Sequence, residues 1–357
     1  MTSRERVLRT LERLPVDRVP INYMANGGID ARLKAHYGLE PHDGEGLLRK
    51  LGVDFRGVGA WYSGPKLFED IPERGVLVSE WGIHRRWIEH GTGGYWDFCD
   101  FPLKDATLDT VRNRPYPSPD DFTYDRVAST CDYYDGQFCL VTGSPGIGDI
   151  MNCSGMLFGV EEMMVRMATG DDAWRYHVDR YTEILLEYIK RTLEAAKGKI
   201  DILWMGEDLG TQHTPLISLD LFRREIRPRH QPFIDLARRY GIRVMTHTCG
   251  CSSWAYPDFI EMGVDIVDTL QPEATNMDPA YLTSHFGKQL AFHGCISTAI
   301  VSQTDVDGTL RHLRDTLAAM QGYAYCLCPT HLLQDNTPVE NVVALYAAAQ
   351  ATAQTPL

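Results

Sequence analysis

From Gln137 onward, short apolar runs alternate with long amphipathic stretches, and no other feature of this 357-residue sequence limits its fold so sharply. The runs are Phe138–Thr142, Ile202–Met205, Arg243–Thr246, Ile266–Leu270, Leu290–Phe292 and Ala324–Leu327. Between them lie helical patterns at Val160–Met167, Asp172–Ala196, Leu219–Tyr240 and Pro257–Met262, with Pro228 predicted to kink or break the third. Strands separated by helices need right-handed crossovers, hence a parallel sheet. No strand runs into a G-x-G-x-x-G turn, which turns the reading away from a dinucleotide fold. The fold class expected is α/β, a single (β/α)8 TIM-type barrel over residues 1–357. An N-terminal helical segment precedes it, and residues 81–124, rich in Gly, Pro and aromatics, form a loop-rich, irregular excursion in its first half. Chemistry in such a barrel sits where strands end and loops begin.

Ser3 to Arg13 has Val7, Leu8 and Leu11 at helical spacing, with Ser3 expected as N-cap and Arg6 on a solvated face. Pro15 and Pro20 stop that helix, and Val19–Met24 reads as a buried strand. The net charge of −13 argues against a nucleic-acid or anionic-membrane partner. Nine cysteines, an odd number, follow an N-terminus without the apolar core of a signal peptide. The expectation is a cytoplasmic protein with reduced thiols, each a small hydrophobe, a metal ligand or a reactive group.

Polar residues collect after the apolar runs: Glu207 and Asp208, His247 and Cys249, Gln271, His293 and Cys295, Cys328 and His331. The H-x-C pair in V-M-T-H-T-C-G-C stands out, because residues two apart at a strand end point the same way and can share one ion. Twelve His and nine Cys in 357 residues give roughly 0.3 such pairs by chance, so spacing alone does not make a metal site.

Several longer stretches resemble the uroporphyrinogen decarboxylase superfamily almost end to end. They are R-E-R-V-L-R-T-L-E-R-L-P-V-D-R-V-P, S-E-W-G-I, G-E-D-L-G-T-Q, G-V-D-I-V-D-T-L-Q-P-E-A, F-G-K-Q-L-A-F-H-G-C-I and C-P-T-H-L-L-Q-D-N-T-P-V-E-N-V-V-A-L-Y. The decarboxylase itself carries an Arg-rich turn after its first strand. Here that place reads N-Y-M-A-N-G-G-I-D, without one Arg to fork a substrate carboxylate. The similarity is closer to the zinc- and corrinoid-dependent methyltransferases, which hold zinc on an H-x-C pair and a late third ligand. The resemblance implies His247 and Cys249 as zinc ligands and His331 as the third, with Cys328 its rival. It also implies a corrinoid (cobalamin) carried by a partner protein, a small methylated substrate, and a homodimer.

Removing a methyl group from oxygen, nitrogen or sulfur leaves a charged group behind, which an open-sited metal stabilises as a Lewis acid. Glu207 or Asp208 is the candidate fourth metal ligand, carboxylate partner for a His, or proton donor to the leaving group. Being adjacent, they cannot both face the barrel; Glu207 is favoured for the metal zone and Asp208 for a structural or substrate contact. Tyr23, Met24, Met151, Gln212, Gln271 and His293 are the candidate substrate-binding residues, with Met156, Phe158, Trp61 and Tyr62 extending an apolar wall. Cys326 reads as core. The reading is a demethylating methyltransferase. Its alternatives are a methylcorrinoid-to-thiol methyltransferase and a metal-independent decarboxylase for another small acid. A decarboxylase would need a cation near the carboxylate, and Arg56, Arg85 and Arg86 read as surface residues.

Overall fold

The computed structural model describes residues 1–352 except 92 and 135. Seven strands form one parallel sheet in chain order: β1 (Phe55–Gly57), β2 (Cys139–Gly143), β3 (Ile202–Gly206), β4 (Arg243–His247), β5 (Ile266–Thr269), β6 (Ala291–Ile296) and β7 (Tyr325–Pro329). Residues 20–22 take up both of its edges. On the β7 side, Leu327 N donates to Pro20 O and Asn22 N to Leu327 O; on the β1 side, Asp54 N donates to Ile21 O, all at 2.8 Å. The sheet therefore closes on itself as a TIM-type (β/α) barrel. The expected strand Val19–Met24 is present only as this short closing contact, with an isolated parallel bridge between Ile21 and Leu327.

Helix α1 (Ser3–Leu11) closes one end of the barrel. Val7 and Leu11 pack in one cluster with Phe55, Val141, Ile202 and Met245 from four strands, a burial worth about 1.5–3 kcal/mol for each side chain. Thr2, not Ser3, is the N-cap: its Oγ1 accepts from Glu5 N at 3.1 Å, and the Glu5 carboxylate accepts from Thr2 N at 2.8 Å, a capping box. Arg6 is buried rather than solvated. It donates to Asp17 at 2.6 Å and to Asp54 at 2.7 Å, while Asp54 also accepts from Arg18 and from Ile21 N. Those charges tie the plug to the closing segment, and only the opposite mouth, where the strands end, is left for chemistry.

The long pattern Leu219–Tyr240 breaks where Pro228 predicted. Phe222–Ile226 forms a π-turn, and α-helix resumes over Arg227–Arg239 with Pro228 in its first turn. The excursion is more regular than expected. Val76–Val78, His84–His90 and Gly93–Phe98 form an antiparallel three-stranded sheet that carries Trp87, Tyr95 and Trp96 exposed. Its tip rests on the loop after β7, with His90 Nε2 4.0 Å from Asp335 Oδ2. Among the described residues, no helix is long and apolar enough to cross a membrane.

Candidate functional site

Strand register builds the site. β5 pairs Asp268 with His247 of β4 on one side and with His293 of β6 on the other. Paired residues of a parallel sheet point to the same face, so His247, Asp268 and His293 form one row facing the barrel interior, where the His293 ring meets Phe55 at 5.5 Å. Asp268 is fully buried. It accepts from His247 Nδ1 at 2.8 Å, His293 Nδ1 at 2.5 Å and Trp204 Nε1 at 3.0 Å. Burial opposes its charge, but the imidazoles of His293 and His247 hold its carboxyl far below the usual range.

Because Nδ1 of His247 donates to Asp268, Nε2 is turned outward. It lies 3.5 Å from Cys249 Sγ and 3.7 Å from Asp208 Oδ1. One ligand atom from each of Asp208, His247 and Cys249 falls within 4.8 Å of the others, the one such group of three or more among the described residues. The edges of a tetrahedron built from zinc–nitrogen, zinc–oxygen and zinc–sulfur bonds are about 3.4–3.6 Å, so this donor set fits zinc in both chemistry and spacing. Asp208 is fixed by two further bonds: Cys249 N donates to Oδ1 at 2.9 Å and Asn152 Nδ2 to Oδ2 at 3.0 Å.

The three side chains of the cluster shift one another's proton affinities. Burial pushes the Cys249 thiol up, with His247 pulling the other way. Burial disfavours His247 as a cation, yet Asp268 and Cys249 outweigh it and raise the imidazole well above its ordinary value. Burial likewise opposes the Asp208 charge, and His247 and the Cys249 N–H hold that carboxyl low. Metal binding here must therefore displace protons from His247 and Cys249. The backbone beside the cluster is strained. Thr269, a β-branched residue, sits at φ 83° with its Oγ1 2.5 Å from His247 Nδ1, a conformation costing about 1–3 kcal/mol.

Of the two adjacent carboxylates, the structure reverses the expected assignment. Asp208 joins the cluster. Glu207 turns the other way into the core, where it accepts from Ile150 N at 2.8 Å and Met151 N at 3.1 Å at the start of helix α2 (Ile150–Phe158). Burial and the neighbouring Asp149 raise its carboxyl well above the ordinary range, and it serves the helix terminus rather than the cluster. The physical reason is that the first two amides of α2 have no other acceptor.

The other candidates divide. Gln212 and Gln271 line a cavity of about 370 Å³ together with Cys249, Gly250 and Thr330, and Gln271 Oε1 accepts from Gly250 N at 2.7 Å. Tyr23 and Met24 line a second space of about 210 Å³ with Asn22, Trp204 and Met245, and the Trp204 ring packs 6.4 Å from His247. His293 is closed on both sides, since Nε2 accepts from Asn22 Nδ2 at 3.1 Å. Met151 is buried in the core. His331 is exposed and Cys328 is wholly buried on β7; neither belongs to the cluster. Cys326 lies in the barrel interior. Arg56 is not a surface residue: it is buried, with Nε donating to Glu45 at 2.7 Å. Asp268 and Asn152 hold the cluster in place, and neither was singled out from the sequence. The available signal was a carboxylate inside the apolar run of β5.

The sequence profile of the family described as Uroporphyrinogen decarboxylase (URO-D) matches residues 149–352. No curated protein matches the chain. Among solved structures, the chain is similar to a B12-independent methionine synthase from Shewanella sp. W3-18-1 in complex with selenomethionine, at 12% identity over 95% of this chain and 94% of that one, with a TM-score of 0.48. It is also similar to an L-ribulose 3-epimerase, at 16% identity over 66% and 81% with a TM-score of 0.41. A third likeness is to the IOLI protein with a binding zinc atom, at 11% identity over 70% and 82% with a TM-score of 0.35. None of the three is close enough to carry a functional inference.

Proposed function

The chain belongs to the uroporphyrinogen decarboxylase family, whose profile spans more than half of it, and from that premise we propose that it is a zinc-dependent methyltransferase moving a methyl group between a small O-, N- or S-methyl compound and a corrinoid on a partner protein. The observation that carries this reading is the three-donor cluster of Asp208, His247 and Cys249 beside a cavity bordered by Cys249 itself. Zinc bound there supplies Lewis-acid stabilisation of the oxygen, nitrogen or sulfur from which the methyl departs, or of a thiol that accepts it. Asp268 fixes the His247 tautomer and directs Nε2 at the cluster. Asn152 and the Cys249 N–H keep Asp208 in place. Gln212 and Gln271 offer hydrogen-bonding groups in the cavity, and Trp204, Tyr23 and Met24 offer an apolar wall on the barrel side. The exposed face of Trp87, Tyr95 and Trp96 is a surface suited to docking a partner.

The test is anaerobic. The zinc-loaded chain is mixed with cob(I)alamin and a series of methyl ethers, methylamines and methyl thioethers, and methylcob(III)alamin is followed by absorbance. Zinc-dependent methylation from one class, lost in Cys249→Ala, is the expected result. Failure to retain zinc at micromolar free metal under reducing conditions contradicts the reading.

A further inference from the structure

A second chamber, of about 350 Å³, lies between the loop after β2 (Ser144, Gly146, Ile147 and Asp149), α2, helix α3 (Asp172–Ala196) and the excursion. Its lining is largely aromatic and aliphatic, with Trp81, Phe122, Tyr181 and Tyr188 supplying rings. Trp81 and Tyr181 meet edge to face at 4.7 Å, and Phe122 and Tyr188 lie tilted to one another at 4.9 Å. Two features point to a polar ligand in this greasy space. His177 is 1% exposed; its Nδ1 is bonded to Tyr116 OH at 3.0 Å, while Nε2 has no hydrogen-bond partner among the described residues. At the rim, the exposed Arg85 guanidinium has no ion pair among them either. A second guanidinium, Arg114, sits behind Trp81, donating to its carbonyl at 2.6 Å with Nη1 buried and unpartnered.

We propose that this chamber is a binding site for a one-ring hydroxyaryl carboxylate, with the carboxylate at Arg85, the ring packed against the wall that Trp81 and Tyr181 form together, and the ring hydroxyl at His177 Nε2. The volume suits a single substituted ring. Ring walls favour an arene over a flexible chain through edge-to-face contacts. A guanidinium without a carboxylate beside it suits a planar anion. The His177 imidazole in the lining has one nitrogen held by Tyr116, and the other can meet a ring hydroxyl. Burial, with Arg114 nearby, pushes His177 down to about 3, so near neutral pH it meets the ligand as a neutral imidazole. This site is separate from the proposed methyl transfer and needs no metal. Even so, α2 is its shared wall with the cluster: Asp149 lines the chamber, and Asn152, one turn on, holds Asp208.

Isothermal titration of the metal-free full chain with 4-hydroxybenzoate and 3-hydroxybenzoate tests the proposal. Saturable one-to-one binding of at least one isomer is expected, weakened tenfold or more in Arg85→Gln, a surface change that leaves the fold intact. Benzoate should bind several-fold more weakly than the preferred isomer, and His177→Phe should erase that difference. Cyclohexanecarboxylate and benzyl alcohol should both bind at least tenfold more weakly. Cys249→Ala should bind like wild type. The proposal is overturned by absence of saturable binding up to 10 mM, by wild-type affinity in Arg85→Gln, or by loss of binding in Cys249→Ala, which would place the ligand at the barrel mouth.

Discussion

His247 and His293 hang from the same carboxylate, one strand to either side of Asp268, yet only His247 is placed to hold a metal. Each gives Nδ1 to Asp268. At His293 the remaining nitrogen is met by Asn22 at 3.1 Å, and the ring is wholly buried. At His247 it faces Cys249 and Asp208 instead. A shared orienting residue therefore does not make a ligand. What distinguishes the two is whether the far nitrogen is satisfied by the protein or left to other donors around an open space. Glu207 and Asp208 repeat the contrast one residue apart, with the first closed on backbone amides and the second open to the cluster.

Removing an open donor should have the largest effect. Cys249→Ala should lose stoichiometric zinc, measured by metal analysis after gel filtration, while unfolding much as wild type does in denaturant. Asp268→Asn acts on both histidines at once. It should weaken zinc binding by about 10–100-fold and lower stability as well, read by competition with a chromogenic chelator and by urea unfolding.

His293→Gln should separate the pair. Zinc binding is expected to stay within a few-fold of wild type while stability falls by about 1–3 kcal/mol, the cost of leaving buried polar groups unmatched. His230 extends the closed class, with Nε2 donating to Gly148 O at 2.9 Å and burial pushing it down to about 4. Its neutral form is the folded one, so its contribution is complete above the ordinary value near 6.5 and is lost as pH falls toward 4. That amounts to about 1 kcal/mol at pH 5.5. Urea unfolding at pH 7.5 and 5.5 should show a smaller acid loss in His230→Asn than in wild type. The smallest effect is expected of Glu207→Gln, which keeps an acceptor for the α2 amides and should leave zinc affinity within about twofold. A tenfold loss there would mean that the closed carboxylate matters to the cluster after all.

Much of the barrel was legible because its strands are apolar runs bounded by long helical patterns, and β2 to β7 begin within a residue or two of those runs. β1 was not, since Phe55–Gly57 is three residues long with a charged side chain at its centre. The hairpin His84–His90 and Gly93–Phe98 was hidden for a different reason: its residues are mostly exposed, so no buried face imposes a period of two. At the site, His247 and Cys249 stood out by residue type. Asp268 did not, because its meaning lies in register, which places it between two histidines distant in the chain. Register also lies behind the exchange of Glu207 and Asp208, for a sequence shows that one of two neighbours must turn inward without showing which.

The most direct measurement is zinc K-edge X-ray absorption on the zinc-loaded chain. One sulfur at about 2.3 Å and a shell of nitrogen and oxygen at about 2.0–2.1 Å are expected, with an imidazole scattering signature that disappears in His247→Gln. A spectrum with no sulfur, or with two or more, would contradict the Asp208–His247–Cys249 centre.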